Sequence, residues 1–137
     1  MFKKLVFTSA FAISSLAAQA AELTVDIAGI TQLEGDIYVV LYDSVSAMES
    51  NKATLANKGA VTKLQTTVTF SDLSAGDYAI LAYQDLDNNQ KLNRNMIGIP
   101  NEPYGFSNNP RLMGPPSFDK LRFAVGDVDH TIQISID

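Results

Sequence analysis

Beyond residue 20, apolar and polar side chains alternate with a period of two along most of the chain. Leu23, Val25 and Ile27 share one face, with Thr24 and Asp26 on the other. Leu64, Val68 and Phe70 are interleaved with Lys63, Gln65, Thr67 and Thr69. Leu121, Phe123 and Val125 alternate with Lys120, Arg122 and Ala124, and Ile132, Ile134 and Ile136 with Thr131, Gln133 and Ser135. Such a period predicts half-buried strands. Ile37–Tyr42 and Tyr78–Tyr83 are apolar throughout, which predicts strands covered on both faces. Gly29, Glu34-Gly35-Asp36, Ser71–Gly76 and Gly126–Asp129 punctuate the pattern as turns.

No segment keeps a helical period over three turns. Ser44–Leu55 holds at most a short helix, with Ser44 as its cap and Ala47, Met48 and Glu49 favouring it. The economical fold is all-β: an antiparallel Greek-key β-sandwich of six to seven strands with one long ordered loop. A small closed barrel is the alternative.

The loop runs from Asp85 to Ser117. It contains all five prolines and seven of the nine asparagines. Its length far exceeds an ordinary connection, so it is either functional or disordered. Met96, Ile97, Ile99, Tyr104, Phe106, Leu112, Met113 and Phe118 are apolar anchors that a disordered linker would lack. Order is therefore expected.

Composition and charge narrow the chemistry. Met1-Phe2-Lys3-Lys4 precedes an apolar run from Leu5 to Ala18, and Ala18-Gln19-Ala20 fits a signal-peptidase site. Residues 1–20 are read as a signal peptide and residues 21–137 as one β-sandwich domain, periplasmic or secreted. The run is shorter than the roughly 20 residues that span a bilayer, and no transmembrane segment is expected in the mature chain. Without Lys3 and Lys4, eight basic residues face fifteen acidic ones, a formal charge of −7. That balance argues against nucleic acid and leaves cations as partners. With no Cys and one His, a thiol nucleophile, a cysteine-ligated metal and a multi-histidine centre are excluded.

Two elements of the loop carry candidate chemistry. Asp85, Asp87, Asn89 and Asn93 place oxygens at positions 1, 3, 5 and 9 of a calcium loop, and Lys91, at position 7, would give its backbone carbonyl. Gln90 stands where glycine makes the sharp turn, and Met96 where a bidentate Glu closes the shell. Glu102 or Asp119 would have to complete it, and an affinity of roughly millimolar follows from so few carboxylates. The competing reading is an Asx-rich turn that needs no ion. The second element is a surface of Tyr104, Phe106 and Asn108 for a sugar or peptide, against which stands burial of both rings as loop anchors. No catalytic residue is nominated: His130 has no partner for a triad, and the paired carboxylates sit in a wet turn.

Asp72-Leu73-Ser74-Ala75-Gly76-Asp77-Tyr78, Gly105-Phe106-Ser107-Asn108 and Gly114-Pro115-Pro116-Ser117-Phe118 together resemble the small exported bacterial proteins called domain of unknown function 2141. The resemblance spans about Leu23 to Ile136. It implies a single all-β domain and lends no activity. This chain has Gln90 where the family tends to have Gly, and Asn93 where it tends to have Asp. Gly76-Asp77-Tyr78 also resembles a strand start of transthyretin-like sandwiches, which implies an immunoglobulin-like or transthyretin-like closure. The expectation is an exported non-catalytic binding or accessory module, with an envelope protein, peptide or glycan as partner and Ca2+ as the one possible ion. A purely structural scaffold is the alternative, and a hydrolase using acidic residues a third reading.

Overall fold

The computed structural model describes residue 12 and residues 20–137. The signal-peptide expectation for residues 1–20 lies essentially outside the described residues. Eight strands form two sheets. β1 (Ala21–Ala28) lies between β4 (Thr66–Leu73) and β8 (His130–Ser135). The larger sheet has the order β3 (Leu55–Ala60), β2 (Asp36–Tyr42), β5 (Gly76–Asp85) and β6 (Tyr104–Phe106), with β7 (Phe123–Val125) also on β5. The only helical elements described are α1 (Val45–Glu49) and α2 (Phe118–Leu121).

The alternation seen in the sequence becomes the core. Leu23, Val25 and Ile27 of β1, Val68 and Phe70 of β4 and Ile134 of β8 meet Ile37, Val39 and Leu41 of β2 and Ile80 and Ala82 of β5 in one buried cluster. The two apolar runs have covered faces on both sides, as expected. Their outer face forms a second cluster, in which Tyr42, Ala79 and Leu121 are buried and Met48, Leu81, Phe106 and Phe118 pack around them. The short helices and the long loop thus add a third layer over the larger sheet. Ser44 caps α1 by accepting the Ala47 N–H at 3.1 Å.

Four expectations need correction. The described residues form eight strands, not six to seven, because exposed β3 shows no alternation and pairs only as an edge on β2, and three-residue β6 lies inside the segment read as loop. The sheets are not wholly antiparallel, since β8 runs parallel to β1. Leu121, read as a strand residue with Phe123 and Val125, instead ends α2 and packs in the outer cluster, so β7 starts only at Phe123; after Gly126–Asp129 the chain changes sheets, since β7 pairs with β5 and β8 with β1. Finally, β4 starts at Thr66, leaving Leu64 exposed, and runs into the segment read as a turn, to Leu73. A bulge makes this possible. Leu23 opposes Phe70 while Ala21 opposes Leu73, and Asp72 takes a left-handed φ of 59°, which returns Leu73 to the core.

Candidate functional site

The long loop starts where β5 ends. Asp85 is the last residue of that strand and is 1 % exposed. A buried carboxylate needs donors, and the chain turns back to supply them: Asp85 accepts the backbone N–H of Gln90 at 2.8 Å and of Asn89 at 3.3 Å. Two residues adopt left-handed backbone to close this turn, Asn88 at φ 60° and Gln90 at φ 63°. Gln90 therefore takes the conformation that glycine would have made easy. On the other side, a Cβ at Gly35 would stand 1.9 Å from the Asp85 carbonyl oxygen, so only glycine lets the Gly35 turn approach the strand end this closely.

The remaining oxygens gather around Asp85. Asn89 Oδ1 accepts the Lys91 N–H at 3.0 Å, Asn93 Nδ2 donates to Asp87, and Asn89 Nδ2 donates to Asn93 Oδ1. Glu102 is buried and reaches the cluster from the far limb of the loop. Its oxygens accept the N–H of Leu86 at 2.7 Å and of Asn93 at 2.9 Å. One carboxylate oxygen from each of Asp85, Asp87 and Glu102 lies within 4.8 Å of the others. Of the two acids considered for closing a shell, Glu102 folds back and Asp119 does not. Asp119 is exposed on α2, 3.9 Å from Arg122.

Desolvation pushes the Asp87 carboxyl upward, but hydrogen bonds from the Asn93 amide and the Asn89 N–H outweigh it and hold it below the ordinary value of 3.8. This carboxylate stays ionised at neutral pH. Tyr83, two residues before Asp85, donates its hydroxyl to the Gln90 carbonyl at 3.1 Å. Burial, followed by the charge of Asp85, pushes its phenol up to about 12.

The second nominated trio is split. Tyr104 and Phe106 are half-buried on one face of β6, edge to face at 5.7 Å, and wall a cleft on the outer face of the larger sheet. Asn108 is elsewhere, at φ 67°, with its amide donating to the Lys120 and Arg122 carbonyls at 3.2 and 3.0 Å. Its neighbours are also structural. Ser107 Oγ accepts the Ile80 N–H at 3.0 Å and donates to the Leu121 carbonyl at 2.6 Å. Asn109 donates to the Gln133 carbonyl at 3.0 Å and accepts the Ser135 N–H at 2.8 Å. A Cβ on Gly105 would meet the Ser135 carbonyl oxygen at 2.2 Å. The Gly105–Asn109 segment therefore staples both sheets together.

Tyr42, Asn51, Leu81 and Arg94, which line the same cleft, carry no signal at the level of motifs. The one available hint was the apolar outer face of Ile37–Tyr42 and Tyr78–Tyr83, which had to be covered by something.

No curated protein and no solved structure matches the chain. Residues 25–133, which hold both the carboxylate turn and the Gly105–Asn109 staple, match a family described as uncharacterized protein conserved in bacteria. The chain thus belongs to the domain of unknown function 2141 family.

Proposed function

We propose that this protein is an exported, non-catalytic binding or accessory module of the cell envelope, with a weak calcium site in the loop 85–95. The observation that carries the ion is the convergence of Asp85, Asp87 and Glu102 within 4.8 Å. Three carboxylates at that spacing repel one another, and a hard divalent cation relieves the repulsion. Asn89 and Asn93 adjoin them through side-chain contacts, and an amide that turns about its last bond offers its oxygen in place of its nitrogen. The lowered Asp87 pKa favours a ligand over a general acid, which needs its proton at neutral pH. We read the framework as a Greek-key sandwich of immunoglobulin-like or transthyretin-like type. The repeated passage of the chain between sheets, at β1 to β2, β3 to β4, β4 to β5 and β7 to β8, supports this.

Thermal melting against calcium tests the ion site. For a Kd of about 1 mM, about 10 mM calcium adds roughly 1.4 kcal/mol and raises Tm by several degrees. Asp87→Asn should abolish the shift while leaving the melting temperature in EDTA close to that of the parent protein. Absence of any shift in the parent protein would remove the ion and leave the scaffold reading.

That second reading, an envelope scaffold or assembly partner, has its own support. Asn95 Oδ1 accepts the N–H of both Ile97 and Ile99 at 3.0 Å, which fixes a turn with Met96 and Ile97 held in solvent. An ordered apolar tip suits contact with another macromolecule. A photocrosslinker at Ile97 that captures no envelope component in cells would count against it.

A further inference from the structure

Between the long loop, α1 and the outer face of the larger sheet runs a cleft with two lobes of about 310 and 440 Å³. Tyr42, Asn51, Leu81, Leu92 and Arg94 line both lobes, so the space is continuous. Its floor is apolar because β2 and β5 carry apolar residues on the face turned away from the core. Tyr104 and Phe106 wall one lobe, and Tyr83, which pairs with Tyr104 across β5 and β6, walls the other.

The charged side chains of the cleft have one sign. Lys91 and Arg94 line it, and among the described residues no Asp or Glu does. This reverses the character of a chain whose formal charge is −5. Arg94 is held in place at the base of a small hairpin. Its backbone bridges Pro100, and one guanidinium N–H donates to the Gly98 carbonyl at 3.0 Å. The other guanidinium donors remain in a planar fork suited to a carboxylate or sulfonate. Asn51 Oδ1 accepts the Tyr42 hydroxyl at 3.0 Å, leaving the amide N–H groups as its further donors. Donors and cations above an aromatic and aliphatic floor define the ligand chemistry.

We propose that this cleft binds a small amphipathic organic anion, an apolar body of roughly fifteen to twenty non-hydrogen atoms with one carboxylate or sulfonate. The body lies on Tyr42, Leu81 and Tyr104, and the anion meets Arg94. A neutral sugar is disfavoured, because its hydroxyls need many paired acceptors and donors and the cleft supplies few. A cation is disfavoured by Lys91 and Arg94. The proposal does not rest on the ion site, although Lys91 and Leu92 belong to the same turn.

The test compares anilinonaphthalene sulfonate with phenylnaphthylamine, two probes with the same apolar body that differ by the sulfonate. Each is titrated into the folded protein in EDTA, so the outcome is separate from any calcium effect. The sulfonate should bind at one saturable site at least tenfold more tightly than the neutral amine, with amide NMR shifts centred on Asn51, Leu81, Leu92 and Tyr104. Arg94→Gln should remove the tenfold preference, and Arg94→Lys should retain part of it, with circular dichroism unchanged in both. Equal affinity for the two probes, a preference that survives Arg94→Gln, shifts centred elsewhere, or no saturable binding would each overturn the proposal.

Discussion

Glu102 reaches back sixteen residues to accept the Leu86 N–H at 2.7 Å, while its other oxygen holds the Asn93 N–H. One buried carboxylate thus ties the outgoing and returning limbs of the loop to the end of β5. Glu102→Ala would leave both N–H groups without their partner and should cost about 1–3 kcal/mol. Glu102→Gln keeps one acceptor oxygen and should cost less. Urea unfolding measures the loss, and faster hydrogen exchange at Leu86 and Asn93 should locate it in the loop.

The Asp87 carboxyl titrates below its unfolded value. Its contribution is therefore present above the unfolded pKa and fades as pH falls through the lower, folded one. The carboxyl carbon of Asp87, followed by NMR, should have its midpoint below 3.8. Asn93→Ala should move that midpoint upward, because Asn93 supplies one of the hydrogen bonds that lower it. An unchanged midpoint would mean that the contact is not formed in solution.

Tyr83 makes the opposite prediction at high pH. Its phenol is pushed up from 10.0 to about 12, so the neutral form is favoured in the folded state. That stability is complete below the unfolded pKa and is lost as pH rises from about 10 to about 12, an amount of roughly 2–3 kcal/mol. Tyrosinate absorbance should show a late-titrating step coincident with unfolding. Tyr83→Phe should remove this component of alkaline instability, at a cost of about 1 kcal/mol at neutral pH from the lost bond to the Gln90 carbonyl.

Ser107 and Gly105 test the staple between the sheets. Ser107 is fully buried, and Ser107→Ala leaves the Ile80 N–H unpaired inside the protein. A loss of about 1–3 kcal/mol is expected. Gly105→Ala forces a methyl group against the Ser135 carbonyl and should cost a similar amount, since backbone on both sides must move. Thermal melting reads both. Asn108→Ala should also lower stability, and it should leave probe binding in the cleft unchanged, because its amide serves the Lys120 and Arg122 carbonyls.

Local pattern made much of this legible in advance. The period-two alternation of Leu23–Ile27 and Ile132–Ile136 reports which face is buried, because a strand's side chains point alternately to its two sides. The apolar runs Ile37–Tyr42 and Tyr78–Tyr83 report a second covered face. The 85–93 turn was recognisable because Asx side chains bond to backbone a few residues away, an interaction set by spacing alone. Exposed β3 was missed because pairing along an edge requires only backbone hydrogen bonds and leaves no hydrophobic pattern.

The sequence by itself determined a two-faced β framework, a short capped helix and an oxygen-rich turn, since each depends on residues close together in the chain. Tertiary structure decided the rest. It sent β8 to a parallel place beside β1, brought Glu102 to Asp85, diverted Asn108 from Tyr104 and Phe106, and set Arg94 in one cleft with Tyr42 and Leu81. Those outcomes depend on which distant surfaces bury each other and which buried donors find acceptors. Such contacts reflect the packing of the whole chain, and no local window of residues records them.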